Sequence, residues 1–369
     1  MKFQSSQVSF DASSIGEMIS TYLSFLIDVD HITHSVSLFV YAFIVTSIVP
    51  FPDNHNEVIM ACNDNNLFHC NIETKEMSHP LMLASCPLTL AWQPISNQRS
   101  NESILVVGCS DGHVEFLKTN TSGKHWPLDS HRRIKAHDGA VTSIRWSHDG
   151  SSLATAGVDG EVRIWSPGGL LRTKSNFDTA VNCISWGPRC ESIVVAHGKY
   201  LSITQVQGRS RSLSWDGADG VVLAVEWNMV KDQIVSGGED GCFRIFNSEG
   251  VGLYVSRPQS HAITSVSWFP SGNYFAVGSF HRVTLHDISG TMHDQIECSG
   301  GSSVIEMIQR QDTSQLIAGC STGEIVVSSL VGQKDFWNGV SVELCSTSQL
   351  KIAYPINNEE IPRTIDISR

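Results

Sequence analysis

Residues of the types that hydrolases use occur near one another in the middle of the sequence. His137, Thr155 and Asp159 supply an imidazole, a hydroxyl and a carboxylate, which is the residue set of a nucleophilic triad. We nevertheless expect neither a nucleophile elbow nor a glycine-rich phosphate loop. The neighbouring acids Glu239 and Asp240 precede a glycine, which is typical of a hairpin turn. The sequence therefore predicts no catalytic residue.

Histidines could also hold a metal, and three of them follow one another at a spacing of six: His125, His131 and His137. That spacing places ligands together neither on one helix face nor along one strand. The ten cysteines form no C-x-x-C pair. We expect no metal site, no cofactor and no small-molecule substrate, and we expect the thiols to be reduced.

The charge balance bears on the class of partner. The chain has 369 residues and a formal net charge of −12. An acidic chain repels phosphate backbones, so we expect no nucleic acid among its partners. Residues 36–49 are mostly apolar, but the run is shorter than the ~20 residues of a membrane helix and is rich in β-branched residues. We therefore expect buried strands there, and a membrane anchor is the less favoured alternative.

The elements that would position these residues repeat along the chain. One pattern recurs: an apolar alternating run ending in Trp, a turn, a second apolar run, an Asp-Gly turn and a third apolar run. The tryptophans of the four clearest copies are spaced 40, 41 and 41 residues apart. They are Trp146, Trp186, Trp227 and Trp268.

This period is typical of the four-stranded blades of a β-propeller. Weaker copies flank the four: one begins near Leu88 and ends its first run in Trp92, a later one carries Ile308 where Trp would stand, and a degenerate first copy covers residues 57–71. The total predicts an all-β fold with seven blades over residues 46–335. Residues 1–45 form an atypical segment that could contribute a strand, and residues 336–369 form a tail or the start of a truncated second propeller.

The copy at residues 137–166 resembles the WD40 repeat. In that family a His, a Ser or Thr, an Asp and a Trp form a hydrogen-bonded relay, and the matching residues here are His137, Thr155, Asp159 and Trp165. The resemblance implies a structural role for them. The blade that begins at residue 219 keeps Ser236 and Asp240 of the relay but has Ala218 for His and Phe246 for Trp.

Several segments resemble the intraflagellar transport protein 80 homologs. They are AHDGAV (136–141), WSPGGLLRT (165–173), SGGEDG (236–241), HAITSVSW (261–268) and FAVGSFH (275–281). The resemblance implies a non-catalytic scaffold subunit of intraflagellar transport complex B, acting in cilium assembly, at the ciliary base and axoneme and in the cytoplasm. Other subunits of complex B would be its partners. Members of that family continue into a second propeller and a helical tail.

A basic run precedes the clearest repeat. Arg132, Arg133 and Lys135 either belong to an ordinary solvated loop or dock an acidic surface, such as tubulin, cargo or a partner subunit. Two other functions stay open: a generic WD40 adaptor, such as a substrate receptor of a ubiquitin ligase, and a propeller hydrolase. The hydrolase would need carboxylates that converge at the central channel.

Overall fold

In the described part of the chain the regular elements are β-strands. The computed structural model describes residues 2–7, 34–37, 44–52, 56–72, 74, 76–94, 103–118, 126, 128–206, 213–298, 301–309, 315–331, 335–337, 340–346, 349–356 and 359–366. The strands are β1 (Lys2–Gln7), β2 (His34–Ser37), β3 (Val45–Pro50), β4 (Glu57–Cys62), β5 (Asn66–Asn71), β6 (Leu81–Met82), β7 (Pro87–Trp92), β8 (Ile104–Cys109), β9 (His113–Lys118), β10 (Asp129–Lys135), β11 (Val141–Trp146), β12 (Leu153–Gly157), β13 (Glu161–Trp165), β14 (Leu171–Asn176), β15 (Val181–Trp186), β16 (Ser192–His197), β17 (Tyr200–Gln205), β18 (Leu213–Asp216), β19 (Val222–Trp227), β20 (Gln233–Gly238), β21 (Phe243–Asn247), β22 (Gly252–Val255), β23 (Ser265–Trp268), β24 (Tyr274–Gly278), β25 (Arg282–Asp287), β26 (Met292–Glu297), β27 (Val304–Gln309), β28 (Gln315–Cys320), β29 (Glu324–Val331), β30 (Asp335–Trp337), β31 (Val340–Ser346), β32 (Gln349–Ile356) and β33 (Glu359–Asp366).

From β3 onward the strands form antiparallel sheets in sequence order. Blades 1 to 6 each contain four strands, β3–β6, β7–β10, β11–β14, β15–β18, β19–β22 and β23–β26, and blade 7 contains β27–β29. The first strand of each blade is its inner strand. Inner strands of consecutive blades lie side by side, and β27 of blade 7 lies beside β3 of blade 1. The ring is therefore closed, and the predicted seven-bladed WD40-type β-propeller is confirmed.

Because the strand direction alternates within a blade, the ring has two distinct faces. We call the face where the inner strands begin the start face, and it also carries the turn between the second and third strands. The face where the inner strands end is the end face. It carries the turn after each inner strand and the turn between the third and fourth strands.

The outermost strand of blade 7 comes from the other end of the chain. β1 pairs antiparallel with β29, from Lys2 opposite Val331 to Ser6 opposite Val327, and β2 continues this pairing at Val36 and Ser37. Of the apolar run 36–49, the later part forms inner strand β3. Residues 340–352 take no part in closure, since they belong to a separate antiparallel sheet, β30–β33. Over the ranges given above, no helix combines the length and apolar character needed to cross a bilayer.

Tryptophans mark the same place in successive blades. Trp146, Trp186, Trp227 and Trp268 are each the last residue of an inner strand, as is Trp92 in blade 2. In blade 7 the strand register shifts the predicted tryptophan position by one residue. Its inner strand ends at Gln309, which faces Leu316, so Gln309 and not Ile308 occupies the tryptophan position. Without a tryptophan as a marker, the degenerate copy is easily aligned one residue out of step.

Apolar side chains of adjacent blades pack together to form the core. Val106 and Phe116 of blade 2, for example, share one buried cluster with Ile144 and Leu153 of blade 3. A single sheet could not bury both of its faces, so each blade depends on its neighbours for burial.

Hydrogen bonds between inner strands reinforce this packing at the start face. The side chains of Thr46, Thr142, Asn182 and Thr264 each donate to the first carbonyl of the next inner strand, at distances of 2.7, 2.6, 3.0 and 2.5 Å. Thr46, Thr142 and Asn182 are the second residues of their inner strands, and Thr264 directly precedes β23, so each lies near the start of an inner strand and bridges to the following blade.

The turn between the second and third strands requires a positive φ in every blade. Gly160 of the Asp159–Gly160 turn has φ 77°, and a Cβ there would meet the Phe177 carbonyl oxygen at 2.6 Å. Blade 6, which lacks the Asp-Gly pair, places His281 in the same conformation with φ 63°. The His281 N–H donates to the Ser302 carbonyl at 2.9 Å, which ties this turn to the segment before β27 of blade 7.

Candidate functional site

The structure brings the four relay residues of blade 3 into one hydrogen-bonded chain. His137 Nδ1 lies 3.0 Å from Asp159 Oδ1, and His137 Nε2 lies 2.8 Å from Thr155 Oγ1. The Trp165 indole N–H donates to Thr155 Oγ1 at 3.0 Å. Since a carboxylate only accepts, Nδ1 carries the proton and Nε2 accepts from the Thr155 hydroxyl. The side-chain nitrogen and hydroxyl atoms of the relay therefore all have hydrogen-bond partners.

The environment fixes the protonation states of this relay. Burial lowers the pKa of His137 and outweighs the attraction of Asp159, so the imidazole is neutral at pH 7. Burial alone would raise the pKa of Asp159, but the N–H groups of Asp138 and Glu161 and the nearby imidazole lower it overall. Thr155 is 0% exposed and His137 is 1% exposed. A substrate cannot reach the hydroxyl, so the geometry serves the fold and not a nucleophilic attack.

In blade 5 the relay is interrupted, which corrects the grouping of Ser236 with Asp240. The Ser236 hydroxyl donates to the Gly217 carbonyl at 2.8 Å. Asp240 instead accepts from Arg244 Nη1 at 2.7 Å, and the same guanidinium reaches Asp219 at 2.9 Å. The physical reason is that Ala218 has no imidazole to span the gap, so a largely buried ion pair neutralises the turn carboxylate.

The spacing G-x-S-x-G of a nucleophile elbow occurs twice, at residues 108–112 and 319–323, contrary to the expectation from the sequence. Both copies lie in the turn between the second and third strands of a blade, where Gly112 and Gly323 have φ 81° and 88°. A nucleophile elbow connects a strand to a helix. These turns connect two strands of a hairpin, so the spacing arises from propeller geometry.

The basic run lies in β10, the outermost strand of blade 2, and not in a loop between blades. Its side chains are exposed, but each has a partner within the chain. Arg132 donates to the Gly168 carbonyl of blade 3, Arg133 Nη2 lies 2.5 Å from Asp111 Oδ2, and Lys135 Nζ lies 2.6 Å from the Asp111 carbonyl oxygen. Docking by this run stays a prediction, and a partner would have to compete with these contacts.

Charged residues of the central channel were missed by the sequence analysis. Arg145, Glu226 and Glu306 project from the inner strands of blades 3, 5 and 7 into a narrow segment of about 150 Å³ that all seven inner strands line. Arg145 Nη1 lies 3.4 Å from Glu306 Oε1. The sequence signal that could have identified these residues is the single charged residue within each of the three inner strands.

The two channel carboxylates are held by different groups. Glu306 Oε2 accepts from the Ser47 hydroxyl at 2.5 Å and from the Ile48 N–H at 3.2 Å, and these contacts join blade 7 to blade 1. Glu226 accepts from the Trp268 N–H of the next blade. Burial raises the pKa of Glu226 to about 7, against the opposing effects of that hydrogen bond and of Arg145. In the part of the chain that the structure describes, no three His, Cys, Asp or Glu residues are grouped to hold a metal.

At the end face the channel widens into a mouth. This channel mouth has a volume of about 680 Å³, and Arg145, Glu226, Glu306 and Met307 separate it from the narrow segment. Most of its wall is aromatic or aliphatic, with Trp92, Trp146, Trp227, Trp268, Phe269 and Ile308. An apolar wall around a few charged groups is typical of a binding site.

Comparisons with known proteins agree with the fold and with the family resemblance. The family described as WD domain, G-beta repeat, matches residues 129–166 and 253–283. The chain is 34% identical over 314 residues to the intraflagellar transport protein 80 homologs of Mus musculus and Rattus norvegicus, which covers 82% of this chain and 39% of each relative. A Retinoblastoma-binding protein 5 homolog of Drosophila melanogaster is 24% identical over 190 residues, covering 49% of this chain and 38% of that protein. The resemblance to the transport family is thus confirmed, and the chain spans about two fifths of the length of those relatives.

Proposed function

We propose that this chain, a WD40-repeat β-propeller similar to the intraflagellar transport protein 80 homologs, is a non-catalytic protein-binding scaffold of intraflagellar transport complex B. It acts in cilium assembly and resides at the ciliary base, along the axoneme and in the cytoplasm. The observation that carries the proposal is 34% identity over 82% of the chain. A closed ring offers wide, rigid surfaces that are already ordered before a partner binds. Binding then costs little conformational entropy, which suits assembly with several partners.

Several features of the site favour binding over catalysis. The triad-like residues of blade 3 are buried, and their polar atoms are hydrogen-bonded within the relay. The channel carboxylates stabilise contacts between blades. Other subunits of complex B are the proposed partners, and tubulin and cargo are further candidates.

The proposal is tested by expressing a tagged full chain in ciliated cells. We expect the tag to concentrate at cilia, and we expect affinity purification with mass spectrometry to recover subunits of complex B. Recovery of ubiquitin-ligase subunits, with diffuse cytoplasmic staining, would favour the generic adaptor instead.

The same purification tests the basic run. The double charge reversal Arg132→Glu and Arg133→Glu should reduce recovery of a partner that docks on blade 2. Lys199→Glu is the matched control, because it reverses an exposed charge that pairs with Asp216 at 3.2 Å in blade 4. Equal recovery with all variants would show that the run is only a solvated surface.

A further inference from the structure

The channel mouth combines an aromatic wall with a charged floor. Its volume of about 680 Å³ lies within the range of roughly 300–1,000 Å³ found for ligand sites, so a long side chain of a partner fits inside. The wall is built by the ends of the inner strands, which are rigid elements of the ring. Met229 and Val230, in the turn after β19, extend the apolar surface outward and are 40% and 60% exposed.

The floor carries more negative than positive charge. Arg145 is paired with Glu306, whose other oxygen is engaged by blade 1. The carboxylate of Glu226 accepts one backbone N–H and lies in the field of the same arginine. Two carboxylates thus share one guanidinium, and when Glu226 is ionised the arrangement is one positive charge short of neutrality.

We propose that the channel mouth binds the lysine or arginine side chain of an extended partner segment, with its cation at Glu226 and its aliphatic stem against Trp227, Trp268 and Met307. The proposal deepens the protein-binding function given above and rests on it, but it does not depend on which complex the partner belongs to.

The chemistry of the site selects this occupant over the alternatives. An anion would meet a floor with a net negative charge, and a purely apolar group would leave Glu226 and Glu306 to share the single positive charge of Arg145. A long basic side chain provides both a methylene stem for the apolar wall and a charge for the floor. The raised pKa of Glu226 is consistent with this assignment, because a bound cation would lower it.

The experiment compares two probes of the same shape. N-acetyl-arginine amide and N-acetyl-citrulline amide differ in that the second is uncharged. Each is titrated into the full chain while the indole N–H signals of its tryptophans are followed by NMR. We expect the signals of Trp227 and Trp268 to shift, and we expect the arginine probe to bind at least about tenfold more tightly, as a hydrogen bond between charged groups implies.

Variants identify the carboxylate. Glu226→Gln should make the two probes bind equally, whereas Glu239→Gln, on the start face, should leave the preference unchanged. For the unsubstituted chain, preference for arginine should grow between pH 6 and pH 8 as Glu226 ionises. Arg145, Glu306, His148 and Cys183 also line the channel or its mouth, so the same pH series on Glu226→Gln isolates this group.

Equal binding of both probes by the unsubstituted chain would overturn the proposal without any variant, and so would tighter binding of N-acetyl-glutamate. Persistence of the arginine preference in a folded Glu226→Gln chain would overturn the role of Glu226. Because the probes are small molecules, these outcomes are independent of the purification from ciliated cells, which tests the proposed function itself.

Discussion

Replacing Thr155 by Val tests whether the relay of blade 3 stabilises the propeller. The hydroxyl donates to His137 Nε2 and accepts from the Trp165 indole N–H, and both partners are buried. Valine has nearly the same shape, so the change removes the polar atom and leaves the packing. Each buried group left without a partner costs about 1–3 kcal/mol, so the free energy of unfolding should fall by about 2–6 kcal/mol.

The double variant Thr155→Val with Trp165→Phe separates hydrogen bonding from packing. Phenylalanine removes the orphaned indole donor, and Phe246 occupies the corresponding position of blade 5. The double variant should therefore lose about 1–3 kcal/mol less than the sum of the two single variants. Ser236→Ala is the control, because the Ser236 hydroxyl makes one bond to a carbonyl, and its loss should cost about 1 kcal/mol.

The assays are urea denaturation and hydrogen exchange. Exchange is followed at the N–H groups of Asp138 and Glu161, which donate to Asp159 at 3.0 and 3.1 Å. Thr155→Val should speed exchange there more than in blade 6. A cost below about 0.5 kcal/mol, or strict additivity in the double variant, would refute the view that the relay acts as a connected unit.

Three further predictions concern other parts of the ring. Thr142→Val removes the 2.6 Å bond to the Val181 carbonyl between blades 3 and 4 and should lower the free energy of unfolding by about 1 kcal/mol in urea denaturation. Burial lowers the pKa of His286 to about 4, so between that value and about 6.5 the unfolded chain binds more protons and stability falls as the pH falls. His286→Phe should therefore lose about 2 kcal/mol less than the unsubstituted chain between pH 7 and pH 5, as measured by urea titrations at both values; equal losses would contradict this. His281→Gly should raise stability by up to about 1 kcal/mol because it relieves a positive φ, whereas His281→Val should lower it, and identical midpoints would show that the turn carries no strain.

Local repetition explains why the architecture could be predicted from the sequence. The spacing of Trp146, Trp186, Trp227 and Trp268 reflects one blade per repeat, and each blade pairs residues that are close in sequence. The relay of His137 and Asp159 likewise lies within one repeat. These contacts require no knowledge of how the ring closes.

Contacts that depend on ring closure could not be read from the repeats. Arg145 and Glu306 meet because blades 3 and 7 face a common axis, although they are distant in sequence. β1 completes blade 7 with a largely polar strand that has no alternating pattern to reveal it. The shift from Ile308 to Gln309 has a similar origin, since only the pairing with β28 fixes the register of a strand that lacks tryptophan.

The origin of the strand that completes blade 7 has a consequence for biosynthesis. β1 is synthesised before blade 1, yet its partner β29 ends at Val331 and leaves the ribosome only after the other six blades. Until then the growing chain has two open flanks, one at blade 1 and one at the latest sheet to form, and exposed strand edges invite wrong pairing. We expect the early sheets to assemble quickly, because they pair residues that are close in sequence. The contact between blades 7 and 1 should form last, and it is the step that a chaperone would assist most.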